Sequence, residues 1–253
     1  MRFASLGSGS KGNSALIQSG DTLVMVDCGF QIHEVESRLK RLGVEGRDLD
    51  GIFVTHEHGD HLNGVAKLAR KHDVPVWMTP GTFAAWKDKA VPRVNNLSPH
   101  DGFNLGSLQV QPFPVPHDAR EPCHYVFSDG THRVGTLSDA GHVTPHMRER
   151  LSGCDALMLE FNHDEQMLRD GPYHHQLKVR VGGDLGHLSN TQAAGLLAAV
   201  DCTRLQHLVL THLSEVNNTP QIARAAACEA LGRDEPWLVC ADQTDGFDWK
   251  DLH

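Results

Sequence analysis

Residues 51–65, GIFVTHEHGDHLNGV, set an apolar run against a knot of titratable groups: three histidines, a glutamate and an aspartate fall within positions 56–61. The run reads as a buried strand ending near Thr55. In backbone still extended beyond that point, His56 and His58 stand two apart and point the same way. Gly59 lets the chain turn, and Asp60 and His61 open the following helix, from which they can face back toward the same point. Four such groups at a strand end need solvent or a cation to satisfy them, and imidazole with carboxylate is a donor set that zinc, manganese and iron share. For any one histidine there, a solvated polar turn is the other reading. His-x-His-x-Asp-His behind an apolar strand predicts a metal centre.

The rest of the chain predicts an α/β frame. The runs LVMVD, GIFVT, VPVWM, LQVQPFPV, ALMLE, HLVLT and PWLVC read as strands, while IHEVESRLKRLG, HLNGVAKLARKH and TPQIARAAACEALG carry helical spacing with glycine or turn residues at their ends. MRFASLG, ALIQSG and TLVMVD leave no room for helices between them, so they form hairpins, which points to a mixed sheet or layered sandwich. With 253 residues, 40% of them hydrophobic, one domain over 1–253 is expected. The net charge of −9 argues against broad capture of nucleic acid or an anionic membrane, leaving room for a local basic patch. The six cysteines include no C-x-x-C pair, MRFASLGSGSKGNS has no signal-peptide core, and no run of about 18 apolar residues occurs. The expected home is a reducing cytoplasm, with no membrane span.

THEHGDH resembles the H-x-H-x-D-H signature of the metallo-β-lactamase superfamily, and VMVDCG upstream resembles that family's first motif. The resemblance implies a four-layer αβ/βα sandwich and two divalent metal ions, with zinc foremost and manganese or iron as alternatives. By position it implies that His56, His58 and the histidine of PVPHDA, His117, hold one metal. Asp60, His61 and the histidine of VLTHLS, His212, would hold the other, and Asp139 of LSDAGH would bridge them. Asp27 would support the ligand loop by orienting a histidine. His117 follows an extended proline-spaced segment and Asp139 and His212 follow apolar runs, where ligands are expected; each alone also reads as an ordinary loop residue. His142, His146 and His163 are weaker candidates, and Asp118 reads as a polar neighbour.

Two cations sharing a carboxylate can bind a bridging hydroxide, lower its pKa and polarise a carbonyl or phosphoryl oxygen, which defines hydrolysis and leaves the substrate open. His58 speaks against the flavodiiron branch, which normally carries glutamate there. Glu160 of LEFNHD and His187 of GHLSN resemble, by position, the pair of ribonuclease Z that delivers a proton to the leaving oxygen. That makes Asp60, Glu160 and His187 the candidate catalytic residues, with Glu160 as helix cap the other reading. LGSGSKGNS, EFNHDEQML, GPYHHQLKVRV and GHLSNTQAA resemble the YycJ (WalJ-like) proteins, which implies phosphodiester hydrolysis on DNA, with single strands or nucleotides as substrate partners. GSGSKGNS lacks the Lys-Ser/Thr ending of a Walker loop; it is a hairpin turn or a phosphate-facing turn using Ser8, Ser10, Lys11 and Asn13. Lys11, Lys178 and Arg180 are the candidates for phosphate steering, with LKVRV alternatively a soluble edge strand. A thioester, lactone or other ester hydrolase and a non-catalytic nucleotide- or nucleic-acid-binding regulator are the competing classes.

Overall fold

The strand-rich opening forms a meander. In the computed structural model, which describes residues 1–232 and 236–253, β1 (Arg2–Gly7), β2 (Ser14–Ser19) and β3 (Thr22–Val26) pair antiparallel. Parallel addition follows with β4 (Gly51–Phe53), β5 (Val76–Met78) and β6 (Val94–Asn96). The intervening helices are α1 (Ile32–Arg41), α2 (Gly59–Leu62), α3 (Val65–His72) and α4 (Pro80–Ala85). A second sheet runs antiparallel through β7 (Phe103–Leu105), β8 (Leu108–Pro114), β9 (Cys123–Ser128) and β10 (Arg133–Leu137). It continues in parallel with β11 (Ala156–Glu160), β12 (His207–Thr211) and β13 (Leu238–Cys240). Finally β14 (Phe247–Asp251) returns to pair with β1, so that among the described residues each sheet has seven strands. The later helices are α5 (Pro145–Leu151), α6 (Glu165–Asp170), α7 (His175–Val181), α8 (Asn190–Ala199) and α9 (Pro220–Leu231).

Three apolar layers separate four layers of structure. In β3, Leu23 and Met25 join a core with Val35, Leu39 and Leu68 of the helices, while Val24 and Val26 face the other sheet beside Phe127 and Val209. That two-sided burial explains why LVMV is an unbroken apolar run rather than an alternating one. On the far side, Leu157 and Leu208 pack with Met147, Leu196 and Ala223. The fold is therefore the expected αβ/βα sandwich.

Two local expectations are corrected. HLNGVAKLARKH, read as one helix, breaks into α2 and α3 because Gly64 gives its N–H to the Cys28 carbonyl at 2.7 Å; a Cβ there would meet the Phe30 carbonyl at 2.3 Å. LKVRV, for which an edge strand is one of two readings, lies within α7, whose first turn is capped by His174 Nδ1 accepting the Leu177 N–H at 3.3 Å. Alternating Leu177, Val179 and Val181 imitated a strand, but only Val181 is buried.

The ends of β3, β4, β10, β11 and β12 gather at one edge of the sandwich, the carboxyl edge where open α/β sheets place ligands. Phe53, at the end of β4, is fully buried against Tyr125 and Phe127, with ring centroids 5.4 and 5.5 Å away. Burying such a ring contributes about 1.5–3 kcal/mol. Tyr125 Oη also donates to the Val54 carbonyl at 2.6 Å. The strand is thus tied to the opposite sheet two residues before His56.

Candidate metal centre

Three site residues have left-handed backbone: Asp27 (φ 58°), Asp139 (φ 52°) and His212 (φ 53°), each just past a strand end. Side chains seldom occupy this region, which costs roughly 1–3 kcal/mol per residue and persists where the surroundings over-determine it. The other such non-glycine among the described residues, Asp73, caps the C-terminus of α3.

Asp27 organises the loop after β4. Its Oδ1 accepts the Thr55 N–H at 2.8 Å, and its Oδ2 accepts the Thr55 hydroxyl and His61 Nδ1–H, each at 2.8 Å. His61 therefore carries its proton on Nδ1 and turns Nε2 inward. Because Thr55 Oγ1 gives its proton to Asp27, it accepts from His56 Nδ1 at 3.0 Å, which turns His56 Nε2 inward as well. His117 Nδ1 donates to the Gly186 carbonyl at 3.1 Å, leaving its Nε2 3.2 Å from His58 Nδ1.

His56, His58 and His117 bring one ligand atom each within 4.8 Å of one another, and Asp60, His61 and His212 form a second such group. Asp139 lies between them: Oδ1 is 3.9 Å from His117 Nε2 and 3.7 Å from His212 Nε2, and Oδ2 is 3.0 Å from His61 Nε2. Two buried atoms here, His56 Nε2 and Asp139 Oδ2, have no hydrogen-bond partner among the described residues. An imidazole lone pair and a carboxylate oxygen are both acceptors and cannot satisfy each other, whereas a cation between them satisfies both. The donor set fits a pair of divalent cations.

Protonation follows the same geometry. Burial pushes His56 and His117 down, which keeps them neutral donors. Burial acts the same way on His212 and His61, but the surrounding carboxylates prevail: Asp139 and Asp60 lift His212 to about 10, and Asp139 and Asp27 raise His61 well above the imidazole range. Cation binding at these two must displace protons. Asp60 and Asp139 sit below the carboxylate range because the histidine charges outweigh burial.

Glu160 ends β11, fully buried. Its Oε2 accepts the N–H groups of Ala140 and Leu188 at 3.1 Å each, and its Oε1 accepts His187 Nδ1 at 2.9 Å and lies 3.3 Å from His212 Nδ1. Asp139, Glu160, His187 and His212 also cluster closely enough to hold an ion. With both oxygens already engaged, however, Glu160 orients two histidines rather than offering a free ligand atom. Burial would raise Glu160, yet His187 brings it down to about 2; burial would lower His187, yet Glu160 raises it. The α6 cap is Asp164, whose Oδ1 accepts the Met167 N–H at 2.8 Å, so Glu160 has no capping role.

The glycine-rich turn departs from its phosphate-facing expectation. Ser8 Oγ accepts the His212 N–H at 2.9 Å, Asn13 N–H donates to the Asp60 carbonyl at 2.7 Å, and Asn13 Nδ2 donates to the Gly9 carbonyl at 3.0 Å. Ser8 and Asn13 are buried braces for two candidate ligands, not open donors. Ser10 and Lys11 are exposed, and Lys11 Nζ pairs with Glu215 at 2.8 Å. His142, His146 and His163 supply no atom to the ligand groups. Sequence inspection missed Thr55, the Gly186 carbonyl and buried His124, whose Nε2 accepts the Ser138 N–H at 3.2 Å and so fixes the backbone before Asp139. Thr55 adjoins the motif and could have been noticed; nothing local flags His124, held down at about 4 by burial.

The family described as the beta-lactamase superfamily domain matches residues 22–213, and the chain belongs to it. Within that superfamily it falls in the YycJ/WalJ branch. It is 34% identical over 239 residues to the exodeoxyribonuclease YycJ of Bacillus anthracis, covering 91% of this chain and 89% of that protein. It is 32% identical over 255 residues to the exodeoxyribonuclease WalJ of Streptococcus pneumoniae, covering 98% and 92%. Among solved structures, the metallo-beta-lactamase fold protein YhfI from Bacillus subtilis superposes with a TM-score of 0.75 at 17% identity, covering 98% of each chain.

Proposed function

We propose that this chain is a dinuclear metal-dependent phosphodiesterase that acts as an exonuclease on DNA, with zinc in the histidine-rich sites and manganese or iron as the alternatives. In this reading His56, His58 and His117 would hold one cation and Asp60, His61 and His212 the other, with Asp139 as a further carboxylate ligand within reach. Bound there, the cations supply Lewis acidity and bring the pKa of water into the neutral range. Asp27 and Thr55 keep two imidazole lone pairs aimed inward, and Ser8 and Asn13 brace the backbone of His212 and Asp60.

The observation that carries the reading is the Glu160–His187 pair, 2.9 Å apart, with His187 Nδ1 also 3.3 Å from Asp139 Oδ1. Glu160 holds His187 protonated through Nδ1, and no hydrogen bond among the described residues engages Nε2. His187 can therefore give its Nε2 proton to a departing deoxyribose oxygen. An alkoxide leaves poorly unless protonated, whereas a thiolate or an activated ester needs no such donor. The exodeoxyribonuclease names of both relatives support DNA as the substrate. Six free cysteines fit a reducing cytoplasm. Among the described residues no helix is long and apolar enough to cross a membrane.

The test compares leaving groups. Protein loaded with zinc or manganese should release nucleotides from single-stranded DNA. His187→Ala should lose roughly 100-fold or more on DNA, the scale of one general acid, and far less on bis(p-nitrophenyl) phosphate. Equal losses on both substrates would refute proton delivery by His187.

A further inference from the structure

Arg180 stands on the rim of the metal centre, held by Asp118. Its Nε donates to Asp118 Oδ2 at 2.6 Å and its Nη2 to Oδ1 at 3.2 Å. The same carboxylate lies 3.4 Å from His117 Nε2 and 3.8 Å from His58 Nε2, and the Asp118 N–H donates to the Leu185 carbonyl at 3.0 Å. This pairing occupies one edge of a guanidinium that has five N–H groups. The Nη1 edge meets no protein acceptor among the described residues, and the side chain is 52% exposed. The other two cations considered for phosphate steering are engaged away from this rim, Lys178 Nζ with the Arg169 carbonyl at 2.7 Å and Lys11 with Glu215.

Beside Arg180, Val179 and Leu185 are 59% and 53% exposed, the two most exposed large apolar side chains among the described residues. They line one open groove of about 350 Å³ with Asp118, Arg180 and three glycines or acids of the 183–186 turn. Two such side chains adjoining a pre-ordered guanidinium mark a contact surface rather than scattered exposure.

We propose that this groove is a nucleotide subsite: Arg180 holds the phosphate next to the scissile one, and Val179 and Leu185 carry the attached base. The proposal rests on the phosphodiesterase reading and deepens it. Arg180 is one carboxylate removed from His58 and His117, so it is placed for the next phosphate along a strand rather than for the one those imidazoles face. Asp118 has already ordered the arginine, so less side-chain freedom is lost when a second anion binds. An aliphatic shelf offers no hydrogen-bond pattern, so it accepts any base.

The experiment is the ratio of kcat/KM on single-stranded oligothymidylate to that on bis(p-nitrophenyl) phosphate, which has no neighbouring phosphate. Arg180→Gln should lower this ratio roughly tenfold, mainly through KM, the scale of one charge-assisted hydrogen bond. Arg180→Lys, which keeps the charge and loses the fork, should lower it less. Leu185→Ser, outside the ion pair, should also lower it, and decides the matter should Arg180→Gln fold poorly. An unchanged ratio in Arg180→Gln and Leu185→Ser overturns the subsite. Failure of the wild type to cleave either substrate removes the phosphodiesterase reading instead. The subsite is then judged by fluorescence anisotropy of labelled oligothymidylate with EDTA-treated protein: weaker binding by Arg180→Gln supports it, and equal binding overturns it.

Discussion

Asp27→Asn tests whether the metal centre is set by one carboxylate. Asparagine tolerates left-handed backbone about as well as aspartate, so the φ of 58° is kept and only the hydrogen-bond chemistry changes. The amide oxygen can still accept the Thr55 N–H. The amide nitrogen, in place of Oδ2, would face two donors now bound at 2.8 Å, the Thr55 hydroxyl and His61 Nδ1–H. Relief requires His61 to move its proton to Nε2, the atom that points at Asp139 and Asp60, and requires Thr55 to rotate its proton away, which disturbs His56. Loss of such an orienting partner typically weakens metal binding 10- to 100-fold, which is about 1.4–2.7 kcal/mol. The assay is competition for zinc with a chromophoric chelator, together with elemental analysis of the purified variant. The Asp60–His61–His212 site should lose occupancy first. An Asp27→Asn protein holding two metals at wild-type affinity would refute the tautomer reasoning.

A Cβ on Gly29 would meet the Asp60 carbonyl oxygen at 1.8 Å and the Asn13 nitrogen at 2.9 Å. Gly29→Ala should therefore destabilise by about 1–3 kcal/mol and reduce metal stoichiometry, read by thermal melting and elemental analysis. By contrast Gly195→Ala, in open space within α8, should stabilise by about 0.5–1 kcal/mol; a lower Tm there would be the surprise. Zinc added to chelator-stripped protein at a hundredfold excess over Kd should stabilise by about 2.7 kcal/mol. That raises Tm by roughly 5–10 °C for a chain of this size, and a Tm indifferent to zinc would remove the metal centre.

Some of this was legible in a single segment. The strand run of Ile52 and Phe53 and the crowding of His56, His58, Asp60 and His61 behind it are local facts, because strand burial and turn formation depend on neighbours in sequence. Other features had no local trace. The two-residue alternation of Leu177, Val179 and Val181 fits either strand or helix, and the segment is a helix with its first turn capped by His174. Ser8 and Asn13 could be read either as a plain hairpin turn or as phosphate donors, and the fold wraps them against His212 and Asp60 instead. Arg180 was one of three equivalent cations in the sequence; an ion pair with Asp118, 62 positions away, singles it out.

The sequence by itself determined which donor atoms this protein has and the layered α/β frame that carries them, because side-chain chemistry and hydrophobic period are written residue by residue. Tertiary structure alone decided which nitrogen of each histidine is bare, that Glu160 is fully engaged while Asp139 is not, and that one guanidinium edge stays open at the rim. Those are properties of hydrogen-bond partners brought together from distant strands, and a proton's position is fixed only when its partner is.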